Sequence, residues 1–268
     1  QAAVELHAKA ALFAYSGPLA VPLNREAVDG PLVNFCPHNL REGFHALYAL
    51  VRHRGDARAR EMAERSIAAI FELWEPTSGW RLERLRQAGL VFQPCQGFVH
   101  GEARMLGPLV KYHRATGYAP ALDLALLVSE KLRDIYLPVG DFDERRFSTT
   151  HGHSVTCVLS SLAQLGEYLS DVPLIERVKA FYDRGLWRMR DDVGWSPESL
   201  ERATDDGEAN NTGDILETAL ILGRNGWPAY HEDAERILRG HLLPSQLRDV
   251  SWAVEASSPD GKDGHRRV

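Results

Sequence analysis

Apolar positions recur along this chain at steps of three and four, in blocks broken by short turns, and the blocks repeat. Each copy opens with polar or small residues, runs into an apolar helix, turns, and continues into a more charged helix. "CPHNLREGFHALYALVRHRGD" leads into "ARAREMAERSIAAIFELW", and "CQGFVHGEARMLGPLVKYHRATG" into "YAPALDLALLVSEKLRDIYL". "HGHSVTCVLSSLAQLGEYLSD" leads into "VPLIERVKAFYDRGLW", and "NNTGDILETALILGRNG" into "WPAYHEDAERILRGHLL". The turns fall at Gly55, Gly117, Ser170 and Gly226, a period of about 55 to 60 residues.

The two helices of a copy differ in their second face. In the first charged helix Ala63, Ile67, Ile70, Phe71 and Trp74 make the apolar stripe, with Arg58, Arg60, Glu61 and Arg65 opposite. In the third apolar helix Val155, Val158, Leu159, Leu162 and Leu165 make the stripe, and the far side carries Ser160, Ser161 and Ala163. Small residues opposite an apolar stripe predict burial on both sides, whereas charges predict a wet face. The pattern therefore predicts inner and outer helices alternating along an all-α chain. Ser170 and Asp171 before Pro173 read as a helix start.

"AAVELHAKAALFAY" adds a single N-terminal helix, and "SGPLAVPLNREAVDGPLVNF" reads as an ordered loop. Turns inside each copy are tight, while the links between copies are long, as in "EPTSGWRLERLRQAGLVFQP" and "MRDDVGWSPESLERATDDGEA". All long links then lie at one end of the stack, where function concentrates. Some of them are expected to form short hairpins.

Alternating inner and outer helices with long loops at one end resemble the α/α toroid of the six-hairpin glycosidase superfamily. That superfamily includes unsaturated-glucuronyl hydrolases and related uronic-acid-processing enzymes. "GDILETALILGRNGW" and "THGHSVTCVLSSLAQLGEYLSD" carry the resemblance, which covers residues 1–243 as one toroid domain. A full ring needs twelve helices. This chain shows one single helix and four pairs, so it reads as a toroid or partial toroid. The polar segment 244–268 reads as the start of a missing or disordered continuation.

Composition narrows the partners. A net charge of −6 argues against non-specific binding to nucleic acid or anionic membranes. Three cysteines, Cys36, Cys95 and Cys157, form no dense disulfide framework and suit a reducing, cytoplasmic setting. A start at Gln1 leaves room for a removed leader and a secreted or periplasmic site. No apolar run approaches the roughly 18 residues of a membrane span.

Counting back from each turn to the mouth of each inner helix gives Glu42, Glu102, His153 and Asp214, one titratable group per copy at about one level. Helix N-termini there favour anionic ligands. Asp214, Glu102 and Glu42 are the expected acid/base residues for glycosidic cleavage, which needs a carboxyl pair. His38, Asn39, Arg41, His100, His151, His153 and Asn211 are the expected substrate-binding residues, with arginine suited to a uronate carboxylate. Gln96, Asn210 and Thr212 lie beside them, Glu217 shares the Asp214 direction, and Trp80 and Trp195 are candidates for stacking on sugar.

The resulting expectation is a glycoside hydrolase on a uronic-acid-containing oligosaccharide, with no cofactor and no metal. A polysaccharide lyase with His151 or His153 as base uses the same wall. A zinc site from Cys36, His38, Cys95, His151 and His153 has suitable ligand types but no tight CxxC or HExxH spacing. A non-catalytic helical-repeat scaffold predicts a more regular period and shorter links. Other helical toroids, including sugar epimerases and terpene-cyclase-like domains, share the architecture. There is no DDxxD run, P-loop, dinucleotide glycine fingerprint or GxSxG elbow.

Overall fold

The structure, a computed structural model, describes residues 2–25, 30–200, 207–246 and 248. Helix α1 (Ala2–Ala14) precedes four hairpins, each pairing an inner and an outer helix. They are α2 (Leu40–Arg54) with α3 (Ala57–Leu73), and α5 (Leu106–Thr116) with α6 (Ala119–Ile135). Next come α8 (Gly152–Leu169) with α9 (Val172–Asp183), and α10 (Ala209–Arg224) with α11 (Tyr230–Ile237). Two short helices lie in the links: α4 (Leu82–Gln87) and α7 (Glu144–Phe147).

The tight turns form where the sequence places them. Gly55 and Gly117 end α2 and α5 in the left-handed region, with φ of 64° and 72°. Ser170 ends α8 the same way, at φ 56°, without the freedom of glycine. Asp56 and Asp171 then cap α3 and α9, each accepting from the backbone N–H three residues on, at 2.9 and 3.0 Å.

Layering follows the second-face rule. In α8 every residue from Gly152 to Gly166 is buried, and the helix packs between α5 and α10. In α3, Ala63, Ile67 and Ile70 are buried, while Arg58, Arg60, Glu61 and Arg65 are exposed. Phe71 departs from the expected stripe and is 38 % exposed. At 100° per residue it lies about 80° round the helix from Ala63, whereas Ile67, Ile70 and Trp74 fall within about 40°.

The links hold more strand than periodicity shows. The expected loop after α1 carries an antiparallel pair, β1 (Leu23–Arg25) and β2 (Leu32–Phe35). The next link forms the hairpin β3 (Trp74–Glu75) with β4 (Gly79–Trp80), then β5 (Val91–Phe92). Strand β5 runs parallel to β2, with Asn34 opposite Val91 and Phe35 opposite Phe92. That pairing lays the segments entering α2 and α5 side by side. The bridge His151–Ser199 does the same for the segments entering α8 and α10. Among the described residues no helix is long and apolar enough to cross a membrane. Of the polar segment 244–268, all but residues 244–246 and 248 lie outside the described residues.

Candidate functional site

The inner helices begin at the linked end. A 3-10 turn, Pro37–Asn39, leads into α2, and another, Glu102–Met105, leads into α5. His151 caps α8: its Nδ1 accepts from Ser154 N at 3.2 Å and meets Ser154 Oγ at 2.9 Å. Gly152 follows because Pro197 O crosses where a β-carbon would stand.

Arg104 is the hub of the mouth. Its side chain is 1 % exposed, and such a charge requires partners. Nη2 donates to Glu42 Oε1 at 2.7 Å and lies 3.3 Å from His153 Nδ1. Nη1 meets His38 Nε2. His38 Nδ1 donates to His100 O at 3.0 Å, so Nε2 is the lone-pair side that faces the guanidinium. Both ring nitrogens of His38 are thus spent on protein, and its place is that of a buttress for Arg104.

Opposite Arg104, Arg41 bridges two carboxylates. Nη2 reaches Asp214 Oδ1 at 3.3 Å across the bore, and Nη1 reaches Glu42 Oε1 at 3.4 Å. Asp214 Oδ2 stands 3.4 Å from His153 Nε2. That gap exceeds an ordinary N–H···O bond, and neither atom has a hydrogen bond among the described residues. Asn210 Nδ2 contacts the other nitrogen, Nδ1, at 3.1 Å. Glu42, Arg41, Asp214, His153 and Arg104 thereby form one closed circuit in which two carboxylates balance two guanidiniums.

The imidazoles around this circuit are held neutral. Burial, then the Arg104 charge, lowers His38 to about 4. Burial, then His100 and Arg104, lowers His151 to about 3. His45, on α2, is lowered to about 3 by burial and then by Arg41. His100 shifts down for the same two reasons, burial and Arg104. The rings of His38, His100 and His151 pack together, with centroids 4.6 to 5.7 Å apart.

Other expected site residues have different places. Glu102 accepts from Trp80 Nε1 at 2.6 Å, and burial raises its pKa against the smaller pull of Trp80 and Lys131. It serves the outer side of its turn, while Arg104, two residues on, faces the bore. Trp80 is only 8 % exposed and packs on Phe35, so it offers no open face to a sugar. Trp195 is half-buried. Asn211 is fully buried and donates to Ser196 Oγ and Pro197 O, which fixes the link before α10. Asn39 is half-buried and makes no side-chain cap. Thr212 donates to Gly194 O, and Gln96 accepts from Thr149. Glu217 points to a lower level, accepting from Ser160 and Gln164 and facing Lys111 at 3.6 Å. Beside Lys111 a cavity of about 380 Å³ opens between the C-terminal halves of α2 and α5, lined by Tyr48, Arg52, Lys111 and Arg114.

Sequence reading missed Arg104 as the hub, and it gave no place in the site to His45 or Cys157. Spacing could have found the last two. His45 lies four residues after Arg41, and Cys157 four after His153, each one turn deeper on the same face. Ligand-type atoms of His153, Cys157 and Asp214 lie within 4.8 Å of one another, as do those of His151, Glu198 and Glu208. In the first trio Arg41 and Arg104 already supply the positive charge. Cys36, His38 and Cys95 do not gather with His151 or His153 into such a trio among the described residues.

No family model and no curated protein matches the sequence. Solved structures match its fold. An inactive variant of an α-1,6-mannanase of Salegentibacter sp. HEL1_6, in complex with α-1,6-mannotriose, is 14% identical with a TM-score of 0.66, over 92% of this chain and 71% of that one. A sugar epimerase from a ruminal bacterium is 14% identical at TM-score 0.62, over 92% of this chain and 76% of that one. The unsaturated glucuronyl hydrolase of Bacillus sp. GL1 is 14% identical at TM-score 0.56, over 80% and 64%. At these identities the likeness is one of architecture, and the expected architecture is the one found: helical hairpins in an α/α toroid arrangement.

Proposed function

We propose that the chain is a carbohydrate-active enzyme, a glycoside hydrolase of uronic-acid-containing oligosaccharides. The observation that carries this reading is the carboxyl pair Glu42 and Asp214, set on either side of Arg41 at the mouth of the bore. The pair is asymmetric, as acid and base roles require. The Glu42 side chain is 50% exposed, and that of Asp214 is 9% exposed. Glu42 meets the glycosidic oxygen and exchanges a proton with it. Asp214, fixed by Arg41 and backed by His153, orients and deprotonates the attacking water. Glu102 stays outside this pair because its carboxyl is directed at Trp80.

Arg41, whose side chain is 18 % exposed, gives the mouth its affinity for a uronate, since a guanidinium matches a carboxylate in shape and charge, while the buried Arg104 holds the wall behind it. His100 and His151, neutral at pH 7, offer ring nitrogens to sugar hydroxyls without adding charge. The unsaturated glucuronyl hydrolase among its structural neighbours supports the choice of a uronic-acid substrate.

The test is turnover on a panel of saturated and unsaturated uronic-acid oligosaccharides, with products read by mass. Water addition at one glycosidic bond is expected. Glu42→Gln and Asp214→Asn should each lower kcat/KM by about 10²-fold or more, and Glu102→Gln by less than about tenfold. Full activity in both of the first two variants would remove the pair from the chemistry. The His153–Asp214 contact also favours a second reading, a lyase in which His153 takes the proton beside the uronate. New ultraviolet absorbance from a C=C product, with no gain of water, decides for it.

A further inference from the structure

Parallel pairing of β2 with β5 sets Cys36 and Cys95 at matching ends of two segments far apart in sequence. Their sulfurs lie 3.8 Å apart, and both residues are half-buried, so a small reagent has a path to them. Cys36 directly precedes, at the N-cap, the 3-10 turn that opens α2. Cys95 lies against Gly101, where a β-carbon would stand 3.2 Å from its Sγ. The third cysteine, Cys157, is 2 % exposed and bonded to Ser154 O, out of reach of both solvent and this pair.

We propose that Cys36 and Cys95 form a thiol-modification site, in which Cys36 attacks a small-molecule disulfide and Cys95 resolves the adduct into a Cys36–Cys95 disulfide. The chemistry divides between the two sulfurs. Contact with the Cys95 sulfur, the adjacent His38 N–H and the Arg104 charge lower Cys36 to about 6 against burial, which favours it as the thiolate of the pair. The same contact and burial push Cys95 up, so it keeps its proton until Cys36 is capped. In the first step the Cys36 thiolate displaces one thiolate from RSSR and leaves Cys36–S–S–R. In the second, Cys95 gives its proton to solvent and attacks the Cys36 sulfur, releasing the second RS⁻. The sum is RSSR plus two protein thiols giving one protein disulfide and two RSH.

Closing the bond brings the sulfurs from 3.8 Å to about 2.05 Å. It ties the turn bearing His38 to the loop bearing His100, across the line of the His38–His100 hydrogen bond. The modification thus acts on the wall of the mouth, whatever reaction occurs there.

The experiment uses the full chain, equilibrated with oxidised glutathione or with dithiothreitol, then denatured and alkylated with N-ethylmaleimide. The reduced chain should take a label at each of its 3 cysteines. The oxidised chain should take one, at Cys157, with a disulfide peptide joining Cys36 to Cys95. Cys95→Ser should trap glutathione at Cys36. Cys36→Ser should react about tenfold more slowly at Cys95 than Cys95→Ser does at Cys36. Full labelling of all three thiols after oxidation overturns the proposal, and so does a bridge to Cys157 or glutathione left on Cys36 beside a free Cys95. None of these readouts depends on turnover.

Discussion

At the scale of the residue, Arg104 explains why the mouth has its chemistry. A guanidinium with 1 % side-chain exposure is stable only with its partners in place, and here they are Glu42, His38 and His153. Its charge is also one of the causes that keep His38 near 4, second to burial. In Arg104→Met the His38 ring should therefore titrate at higher pH, which NMR of the imidazole protons reads directly. An unmoved midpoint would assign the whole shift to burial. Arg104→Lys should keep part of the effect, since a single ammonium cannot serve three partners as a planar fork does. Counting back from the turns was enough to find Glu42, Asp214 and His153, because helix geometry sets their level. It could not tell Glu102 from Arg104, two residues apart, because which of them faces the bore depends on the outer helix and on Trp80. Nor could it see that both ring nitrogens of His38 and the Nδ2 of Asn211 are spent inside the protein.

At the scale of the element, the hairpins were legible because each one is local. Stripe, turn and cap lie within one stretch of sequence, and the small-residue face of α8 gave its depth. Strand pairing between β2 and β5 was not legible. It joins segments more than fifty residues apart, and strands of two to four residues carry no period. The turns differ in one testable way. Ser170 adopts φ 56°, where Gly55 and Gly117 do the same job without a side chain. Ser170→Gly should therefore raise stability by about 1 kcal/mol, read as a higher urea midpoint at constant slope. Gly117→Ala should lower stability by a similar amount. If Ser170→Gly is destabilising, the serine side chain contributes more than the strain costs.

At the scale of the whole molecule, the neutral imidazole wall couples function to acid stability. His45 and His151 have folded-state values of about 3, and His38 about 4. All are depressed below the unfolded value near 6.5, so the unfolded chain takes up protons that the folded one refuses. Their stabilisation is complete above pH 6.5 and is lost as pH falls toward the folded values, by up to about 1.4 kcal/mol per pH unit for each ring. All three rings are partly open to solvent and contribute less than this limit. Asp171, Glu167 and Asp233 are lowered carboxyls whose loss adds below pH 4, while Glu102, raised by burial, works in the opposite direction. Domains of this kind are held by about 5–15 kcal/mol, so a few kcal/mol between pH 7 and pH 5 is a large fraction. The urea midpoint should fall clearly over that interval, and His45→Gln should flatten the fall whatever it does to the midpoint at pH 7. A midpoint independent of pH from 7 to 5 would mean that these rings are charged in the folded protein. The rings would then carry positive charge beside Arg41 and Arg104, and the case for a neutral hydroxyl-binding wall would fail with it.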